Sequence, residues 1–255
     1  DQIQINSLPL EAMPELAKGE ENLCILHSAF ITREKINNIG LKDYLIRNKE
    51  ITNLISQSID NAIKARIVII SSGASSLYDN RLLKDIDYRL YPYGSLKSRE
   101  EHLLSKACDA LVLRIYALSG RFLRDPHVFA LGDFIRCAIE KRPIKISSVN
   151  NVIRGYGFDG DISNLAYNWL ISEAIPPKKP IATVSDTISL KDLANIITSI
   201  YDLPSLQEKI DENLKEDIYT YSSENYLDIL NFFNQKPTSL REQIISTYQG
   251  LLKRS

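Results

Sequence analysis

ARIVIISS, residues 65–72, is a continuous run rich in β-branched residues, and YPYGSLK follows it at residues 91–97. An unbroken apolar run of this length is typical of a central strand in a parallel sheet, because such a strand is buried on both faces. In the second segment Tyr93 and Lys97 are four residues apart, a spacing that places the phenol and the ammonium on one face of a helix. The ammonium can keep the phenol partly ionised near neutral pH, so Tyr93 is a candidate for moving protons.

Strand and helix patterns alternate on both sides of this run. NLCILH at residues 22–27 predicts a buried strand before it, and a helical pattern occupies about residues 39–64. After it, a helix is predicted over residues 91–108, and ALVLRIYAL at residues 110–118 predicts a third strand. This order predicts an α/β fold with a Rossmann-like, doubly wound parallel sheet, helices on both faces and ligands at the carboxyl ends of the strands.

The second half of the chain has shorter predicted elements. Its patterns predict helices over residues 131–141, 160–174, 189–203 and 239–254, and strands over residues 143–147 and 181–186. Ser189 and Ser239 each stand three residues before an acidic residue, a capping box that begins a helix. PPKKP, residues 176–180, predicts a surface loop, whereas residues 204–237 show no assignable pattern.

Composition excludes several classes of protein. The chain has 255 residues, 44% of them hydrophobic, and a formal net charge of -1, which gives no electrostatic reason to expect a nucleic acid or an anionic membrane as a partner. No apolar run approaches the roughly 18 residues of a membrane-spanning helix. Cys24, Cys108 and Cys137 are isolated among apolar residues, which predicts buried free thiols in a reducing compartment.

Two common kinds of catalytic site are also disfavoured. The histidines His27, His102 and His127 are far from one another in sequence and from cysteine pairs, so no metal site is predicted. A serine hydrolase would need a Gly-x-Ser-x-Gly elbow, which the sequence lacks.

Seven segments match, in order, the motifs of one known family. LCILHSAF is similar to a strand end with His-x-Ala-Ala, RNKEITNLI to a helix with Asn-Val-x-Gly-Thr-x-Asn-Leu-Leu, and RIVIISSGASSLYD to a Ser-Ser strand end with a Val-Tyr-Gly turn. YGSLK matches Tyr-x-x-x-Lys, and LRIYALSGR matches Leu-Arg-x-x-Asn-x-x-Gly-Pro. VIRGYGFDGDISNLA is similar to Arg-Asp-Tyr-Val-x-Val-Asp-Asp, and ATVSDTISLKDLA to the strand and capped helix near the C-terminus. The chain thus resembles the extended short-chain dehydrogenase/reductases, the NAD-dependent epimerase/dehydratase group that acts mainly on nucleotide sugars.

This resemblance implies a domain organisation and an activity. Residues 1–120, together with elements near 160–187, would form the dinucleotide-binding domain, and residues 121–255 would form most of a smaller substrate-binding lobe. The activity implied is NAD- or NADP-dependent epimerisation of a nucleotide sugar, in a cytoplasmic homodimer serving polysaccharide biosynthesis. The helices over 39–64 and 91–108 would form the dimer interface.

The resemblance also implies roles for single residues. Tyr93 would be the general acid/base, and Lys97 would lower its pKa and hold the nicotinamide ribose. Ser72 would hydrogen-bond the reacting oxygen, with Ser75 as the rival for this substrate contact. Arg154 would bind the nucleotide diphosphate, because a planar guanidinium suits paired phosphate oxygens. Three further residues would lie beside the dinucleotide: His27, Ala29 and Asn48.

Several departures from the family pattern leave alternatives open. The Gly-x-x-Gly-x-x-Gly loop that cradles the pyrophosphate is not found in residues 1–255. The resemblance places it upstream of Asp1, so that these residues would begin near the family's third strand, around residues 3–8. Ala117 replaces an asparagine that touches the sugar, and the Asp-Glu pair of 4,6-dehydratases is absent. A 4-keto reductase and a catalytically inactive dinucleotide-fold scaffold therefore remain alternatives to the epimerase.

Overall fold

The computed structural model of the protein describes residues 7–123, 126–204, 206, 208–211 and 213–254. Two compact units divide the chain. The first comprises the residues up to Arg114 together with Trp169–Pro180, and the second comprises Ile115–Asn168 and Ile181–Ser255. The assignment of dinucleotide binding to one unit and of substrate binding to the other stays a prediction.

Strands and helices alternate in the first unit as the sequence predicts. Two short helices, α1 (Met13–Leu16) and α2 (Ile36–Ile39), flank the first strand in the chain. The main elements, in order, are β1 (Leu23–His27), α3 (Leu41–Asn61), β2 (Ala65–Ser72), α4 (Pro92–Ala107) and β3 (Asp109–Ile115). The described residues of this unit also form four 3-10 segments: 10–12, 33–35, 73–78 and 83–85.

The sheet of this unit brings the ends of β1 and β2 together. The two strands are parallel, with His27 in register with Ile69, and β3 lies on the other side of β2. A core of aliphatic side chains from β1, β2, β3, α3 and α4, which includes Ile25, Ile67 and Leu104, buries the middle of the sheet. The predicted parallel α/β arrangement is therefore confirmed in this unit.

An arginine of β2 joins a later segment of the chain to the first unit. The guanidinium of Arg66 donates to the carbonyl oxygens of Ser172 and Ala174. Its Cζ lies 4.1 Å from the ring centroid of the buried Trp169. Stacking on an indole face and two charged donors fix residues 169–174 against β2.

The remaining elements belong to the second unit, except that α6 ends in residues of the first. They are β4 (Ala117–Ser119), α5 (Ala130–Ile139), β5 (Val152–Phe158), α6 (Asp159–Ile171), β6 (Ile181–Ala182), β7 (Asp186–Ser189), α7 (Leu190–Tyr201), β8 (Asp217–Tyr219), α8 (Glu224–Phe232) and α9 (Leu240–Leu252). Strand β5 pairs with β4 and β8 in parallel and with β7 in antiparallel orientation. Both predicted capping serines are confirmed as helix N-caps, since Ser189 and Ser239 accept from the backbone N–H groups of Asp192 and Glu242.

Some sequence-based expectations are wrong. The predicted strand over 110–118 is two strands, because the chain leaves the first sheet at Tyr116 and Ala117 pairs with Tyr156 of β5. Residues 143–147 form only a single bridge at Lys145, and 181–186 form a strand of two residues. The proposed strand start near residues 3–8 falls mostly outside the described residues.

The cysteines also differ from expectation. Cys137 is buried, Cys108 is intermediate and Cys24 is exposed. In β1 the burial alternates, so that Cys24 and Leu26 face outward while Ile25 and His27 face the core. An apolar run of five residues therefore did not mean burial on both faces.

Candidate active site

Tyr93 and Lys97 lie on the first two turns of α4. Pro92 sits in the first turn, where its missing N–H is tolerated and its fixed φ favours the helix. The spacing of four residues puts both side chains on one helix face, as predicted. Tyr93 is half-buried, and only 4% of the Lys97 side chain is exposed.

The ammonium of Lys97 is fixed at the carboxyl end of β2. Its Nζ donates to the carbonyl oxygen of Ile70 at 2.9 Å and to Oε2 of Glu100 at 2.8 Å. The ring of Phe30 covers a third direction, with its centroid 4.0 Å from Nζ. A buried ammonium needs such partners, because an unpaired charge in the interior is strongly destabilising.

Glu100 shares its carboxylate between Lys97 and His27. Its Oε1 lies 2.8 Å from Nε2 of His27, and the two side chains are 0% and 1% exposed. Burial by itself raises the pKa of the Glu100 carboxyl, but the hydrogen bond with His27 and the charge of Lys97 outweigh it, so that the pKa is lowered. His27, predicted to lie beside a dinucleotide, is thus engaged inside the protein by this carboxylate.

The two candidate serines follow the end of β2. Oγ of Ser72 accepts from the N–H of Ala74 at 3.3 Å and caps the 3-10 segment 73–78. Ser75 is fully buried, and its Oγ lies 2.7 Å from the carbonyl oxygen of Ser72 and 2.6 Å from Glu101. The single proton of the Ser75 hydroxyl is therefore used inside the protein, and which of the two serines contacts a substrate stays a prediction.

A second carboxylate of α4, that of Glu101, holds the 3-10 segment 73–78, the serine turn. Glu101 accepts from Ser71, Ser75 and the guanidinium of Arg114, whose Nε and Nη2 lie 3.0 and 2.6 Å from its oxygens. Arg114 also pairs with Asp79. These charge-assisted bonds fix the turn after β2 relative to α4.

Aromatic side chains surround the Tyr93 ring. Phe30 meets it edge to face, with the centroids 5.6 Å apart. Tyr44 of α3 is completely buried, and its hydroxyl has no hydrogen-bond partner among the described residues. Burial, and next the charge of an ionised Tyr93, raise the pKa of the Tyr44 phenol.

Asn48 holds the loop that follows β1. Its Oδ1 accepts from the N–H of Ile31 at 2.8 Å, and its Nδ2 lies 3.2 Å from the carbonyl oxygen of the same residue. This amide therefore fixes the backbone next to Phe30, while Ala29 on the same loop is exposed. The structure brings together seven of the predicted site residues in the first unit: His27, Ala29, Asn48, Ser72, Ser75, Tyr93 and Lys97.

Arg154 belongs to the second unit. It lies on β5, where its guanidinium forms an ion pair with Asp217, the Nη2 to Oδ2 distance being 2.7 Å. The hydrogen bond from Arg154 lowers the pKa of the Asp217 carboxyl. The pair is partly exposed, and contact of Arg154 with a diphosphate stays a prediction.

Sequence reasoning missed three side chains of the site. Phe30, Glu100 and Glu101 all contact or support predicted residues, and two of them are adjacent acidic residues three and four positions after Lys97. Acidic residues at that spacing from a lysine on a helix are a detectable signal. Among the described residues no group of His, Cys, Asp and Glu could hold a metal ion, and no helix is long and apolar enough to cross a membrane.

Solved structures match this chain, although no family model and no curated protein matches its sequence. UDP-glucuronic acid 4-epimerase from Bacillus cereus, solved with UDP-glucuronic acid and NAD, gives a TM-score of 0.66 at 18% identity over 91% of this chain and 76% of its own. UDP-N-acetylglucosamine 4-epimerase from Methanobrevibacter ruminantium M1 gives 0.70 at 17% identity over 95% and 80%. UDP-glucose 4-epimerase from Thermotoga maritima gives 0.69 at 16% identity over 96% and 82%. The chain therefore has the Rossmann-like fold of the NAD-dependent UDP-sugar epimerases, which confirms the predicted fold.

Replacing Gly94 by alanine tests how closely α4 approaches the serine turn. A Cβ atom at Gly94 would lie 2.5 Å from the carbonyl oxygen of Ala74, closer than real contacts allow. We expect Gly94→Ala to lower the free energy of unfolding by about 1–3 kcal/mol, because the turn must move. Urea unfolding measures this, with Ser105→Ala on the exposed face of α4 as the control; equal stability of the two variants would contradict the close approach.

The lowered pKa of Glu100 predicts a specific loss of stability in acid. A carboxyl whose pKa is depressed in the folded state stabilises that state above its unfolded pKa of about 4.3, and the contribution is lost as pH falls through the folded value. We therefore expect the unfolding free energy of the wild type to fall more steeply below about pH 4.3 than that of Glu100→Gln. Urea unfolding over a pH series measures the two slopes, with the exposed Glu20→Gln as the control. Parallel curves for all three proteins would show that Glu100 has no depressed pKa.

Proposed function

We propose that this chain carries the acid/base site of an NAD-dependent nucleotide-sugar epimerase, with Tyr93 as the proton-transferring group. The observation that supports it most is the anchoring of the Lys97 ammonium at the carboxyl end of β2, one helical turn from Tyr93. In doubly wound folds, ligands bind at the carboxyl ends of the strands. A charge held there acts on a ligand and on the phenol together.

The residues of the site fit the nicotinamide end of a dinucleotide. The hydroxyl of Tyr44 is buried without a partner in the described part of the chain, an arrangement that costs about 1–3 kcal/mol unless a bound group satisfies it. An ammonium has three donors, and protein oxygens take two of those of Lys97, which leaves one directed to the Phe30 ring. The half-buried ring contributes a cation–π contact of about 0.5–2 kcal/mol, which a hydrogen bond to a ribose hydroxyl can replace.

The roles of the residues follow from their chemistry. A bound NAD would supply a hydride acceptor that returns the hydride to the opposite face of the sugar. Tyr93 takes the proton of the sugar hydroxyl and returns it, and Ser72 donates a hydrogen bond to the reacting oxygen. Lys97 holds the ribose and favours the ionised phenol. Ala29, on the loop fixed by Asn48, would lie beside the dinucleotide.

The fold and Arg154 support a nucleotide sugar as the substrate class. The three solved structures described above are of proteins named as UDP-sugar epimerases. Two of them were solved with the UDP-sugar that appears in the protein's name. Arg154 is the candidate for the diphosphate, because its pair with Asp217 is partly exposed and such pairs are weak, so phosphate oxygens can displace the carboxylate. Ala117, which stands where the family pattern has an asparagine that touches the sugar, is a candidate for a residue that affects the choice of sugar.

A second candidate function is a dinucleotide-fold scaffold without turnover. The Phe30 ring over Lys97 favours it, since the ring occupies the face of the ammonium that a ribose needs. The presence of NAD in the protein purified from cells, together with turnover of a nucleotide sugar, would exclude the scaffold. A 4-keto reductase differs from both in consuming one equivalent of reduced cofactor per product.

Replacement of Tyr93 by phenylalanine tests the assignment. We expect Tyr93→Phe in the full-length protein to reduce activity about 10²–10⁴-fold, because the acid/base group is removed. The assay contains NAD and one of three substrates: UDP-glucose, UDP-N-acetylglucosamine or UDP-glucuronic acid. Chromatography of the C4 epimers measures turnover. The matched control is Tyr91→Phe, a phenol in the same segment that is 65% exposed, and it should keep the wild-type rate.

The same experiment can refute the proposal. If the wild type epimerises a UDP-sugar and Tyr93→Phe does so at the same rate, Tyr93 is not the acid/base. If the wild type neither binds NAD nor converts any of the three sugars, the scaffold is the better description.

A further inference from the structure

Lys97 does not act on Tyr93 as a lone charge, because a carboxylate is buried with it. Glu100 and Lys97 are 0% and 4% exposed and in direct contact at 2.8 Å. Both carboxylate oxygens are engaged, Oε1 with His27 and Oε2 with Lys97. The carboxylate therefore cannot turn away from the ammonium without leaving a buried charge unpaired.

We propose that Glu100 is a positioning residue for Tyr93, which acts through Lys97 by fixing the ammonium and offsetting part of its charge. This inference rests on the proposed function, in which the ionisation of Tyr93 sets the pH at which the site works. An isolated ammonium near a phenol favours the phenolate, whereas a buried ammonium–carboxylate pair exerts a much weaker field at the same distance. Glu100 thereby keeps Tyr93 protonated to higher pH than Lys97 alone would.

Other titratable groups face this cluster from β1, from α3 and from the segment after β1, where the charges of Glu34 and Arg33 act on the pKa of Tyr44. His27 comes from β1 and donates to Glu100, and Tyr44 comes from α3 and interacts with the charge of an ionised Tyr93. From β2 the cluster receives the carbonyl oxygen of Ile70, while the one charged residue of β2, Arg66, stacks on Trp169. Two other neighbours contact residues outside this cluster. Glu101 accepts from the guanidinium of Arg114, and the ring of Tyr78 lies against the guanidinium of Arg81.

Geometry assigns the two adjacent glutamates different tasks. Successive helix residues are about 100° apart around the axis, so Glu100 and Glu101 reach opposite sides of the inner face of α4. Glu101 neutralises Arg114 and holds the serine turn, whereas the hydrogen bonds of the Glu100 side chain within the described part of the chain go to Lys97 and His27. Loss of Glu100 should therefore change the electrostatics at Tyr93 and leave the serine turn in place.

The test is a titration of the Tyr93 phenol in the full-length protein. Ultraviolet difference absorbance follows tyrosinate formation, and subtraction of Tyr93→Phe isolates the signal of Tyr93. In Glu100→Gln the ammonium is no longer offset, so we expect the midpoint to fall by about one pH unit. The rising limb of the pH–rate profile should move by the same amount in active protein.

A charge-neutral double variant guards against misfolding of Glu100→Gln. Removing both members of a buried ion pair is far less destabilising than removing one. In Lys97→Met/Glu100→Gln the midpoint of Tyr93 should stay within about half a pH unit of the wild type, whereas Lys97→Met alone, which leaves the carboxylate, should raise it by about one unit.

These results separate the inference from the proposed function. An unchanged midpoint in Glu100→Gln, or a double variant that titrates as high as Lys97→Met, would overturn the role of Glu100. Because the titration needs neither cofactor nor turnover, it remains decisive for Glu100 even if no nucleotide sugar is converted. A shifted midpoint without turnover would support Glu100 and refute the epimerase.

Discussion

The pairing of buried charges on the inner face of α4 is the constraint on which the site depends. Lys97, Glu100, Glu101 and Arg114 are all less than a tenth exposed, and each has an opposite charge within hydrogen-bond distance. A buried charge without such a partner costs several kcal/mol, so each side chain has little freedom to choose another rotamer. The positions of Tyr93 and of the serine turn are therefore set by electrostatics as much as by apolar packing.

Much of the fold could be predicted because its elements have strong local signals. β2 and α4 lie within one residue of the predicted bounds, since one is a continuous apolar run and the other begins at a proline. The errors occur where the structure of a segment depends on the strand with which it pairs. The run 110–118 looks like one strand by composition, but its last residues pair with β5, a choice that depends on residues forty positions later. The exposure of Cys24 likewise follows from the position of β1 in the sheet and not from its sequence.

The site shows the same division between local and distant causes. Tyr93 and Lys97 could be found from their spacing, and Asn48 and His27 from a resemblance in motif order. The contact of His27 with Glu100 joins residues 73 positions apart, and the contact of Phe30 with Lys97 crosses a similar distance, so no local pattern reports either. At 16–18% identity to solved structures with the same fold, the positions that make these distant contacts are free to differ.

The link between Arg66 and the segment after Trp169 has a consequence for biosynthesis. During synthesis, the segments that form β1, β2, β3, α3 and α4 leave the ribosome before Ser172 and Ala174 are made. In the folded protein, however, the guanidinium of Arg66 donates to the carbonyl oxygens of these two residues and stacks on the indole of Trp169. Domains generally fold as units during synthesis, the N-terminal one first, but here the N-terminal unit includes Trp169–Pro180, which are made after the first segment of the second unit, Ile115–Asn168. Until residues 169–174 are synthesised, the guanidinium of Arg66 lacks these two carbonyl oxygens and the indole face.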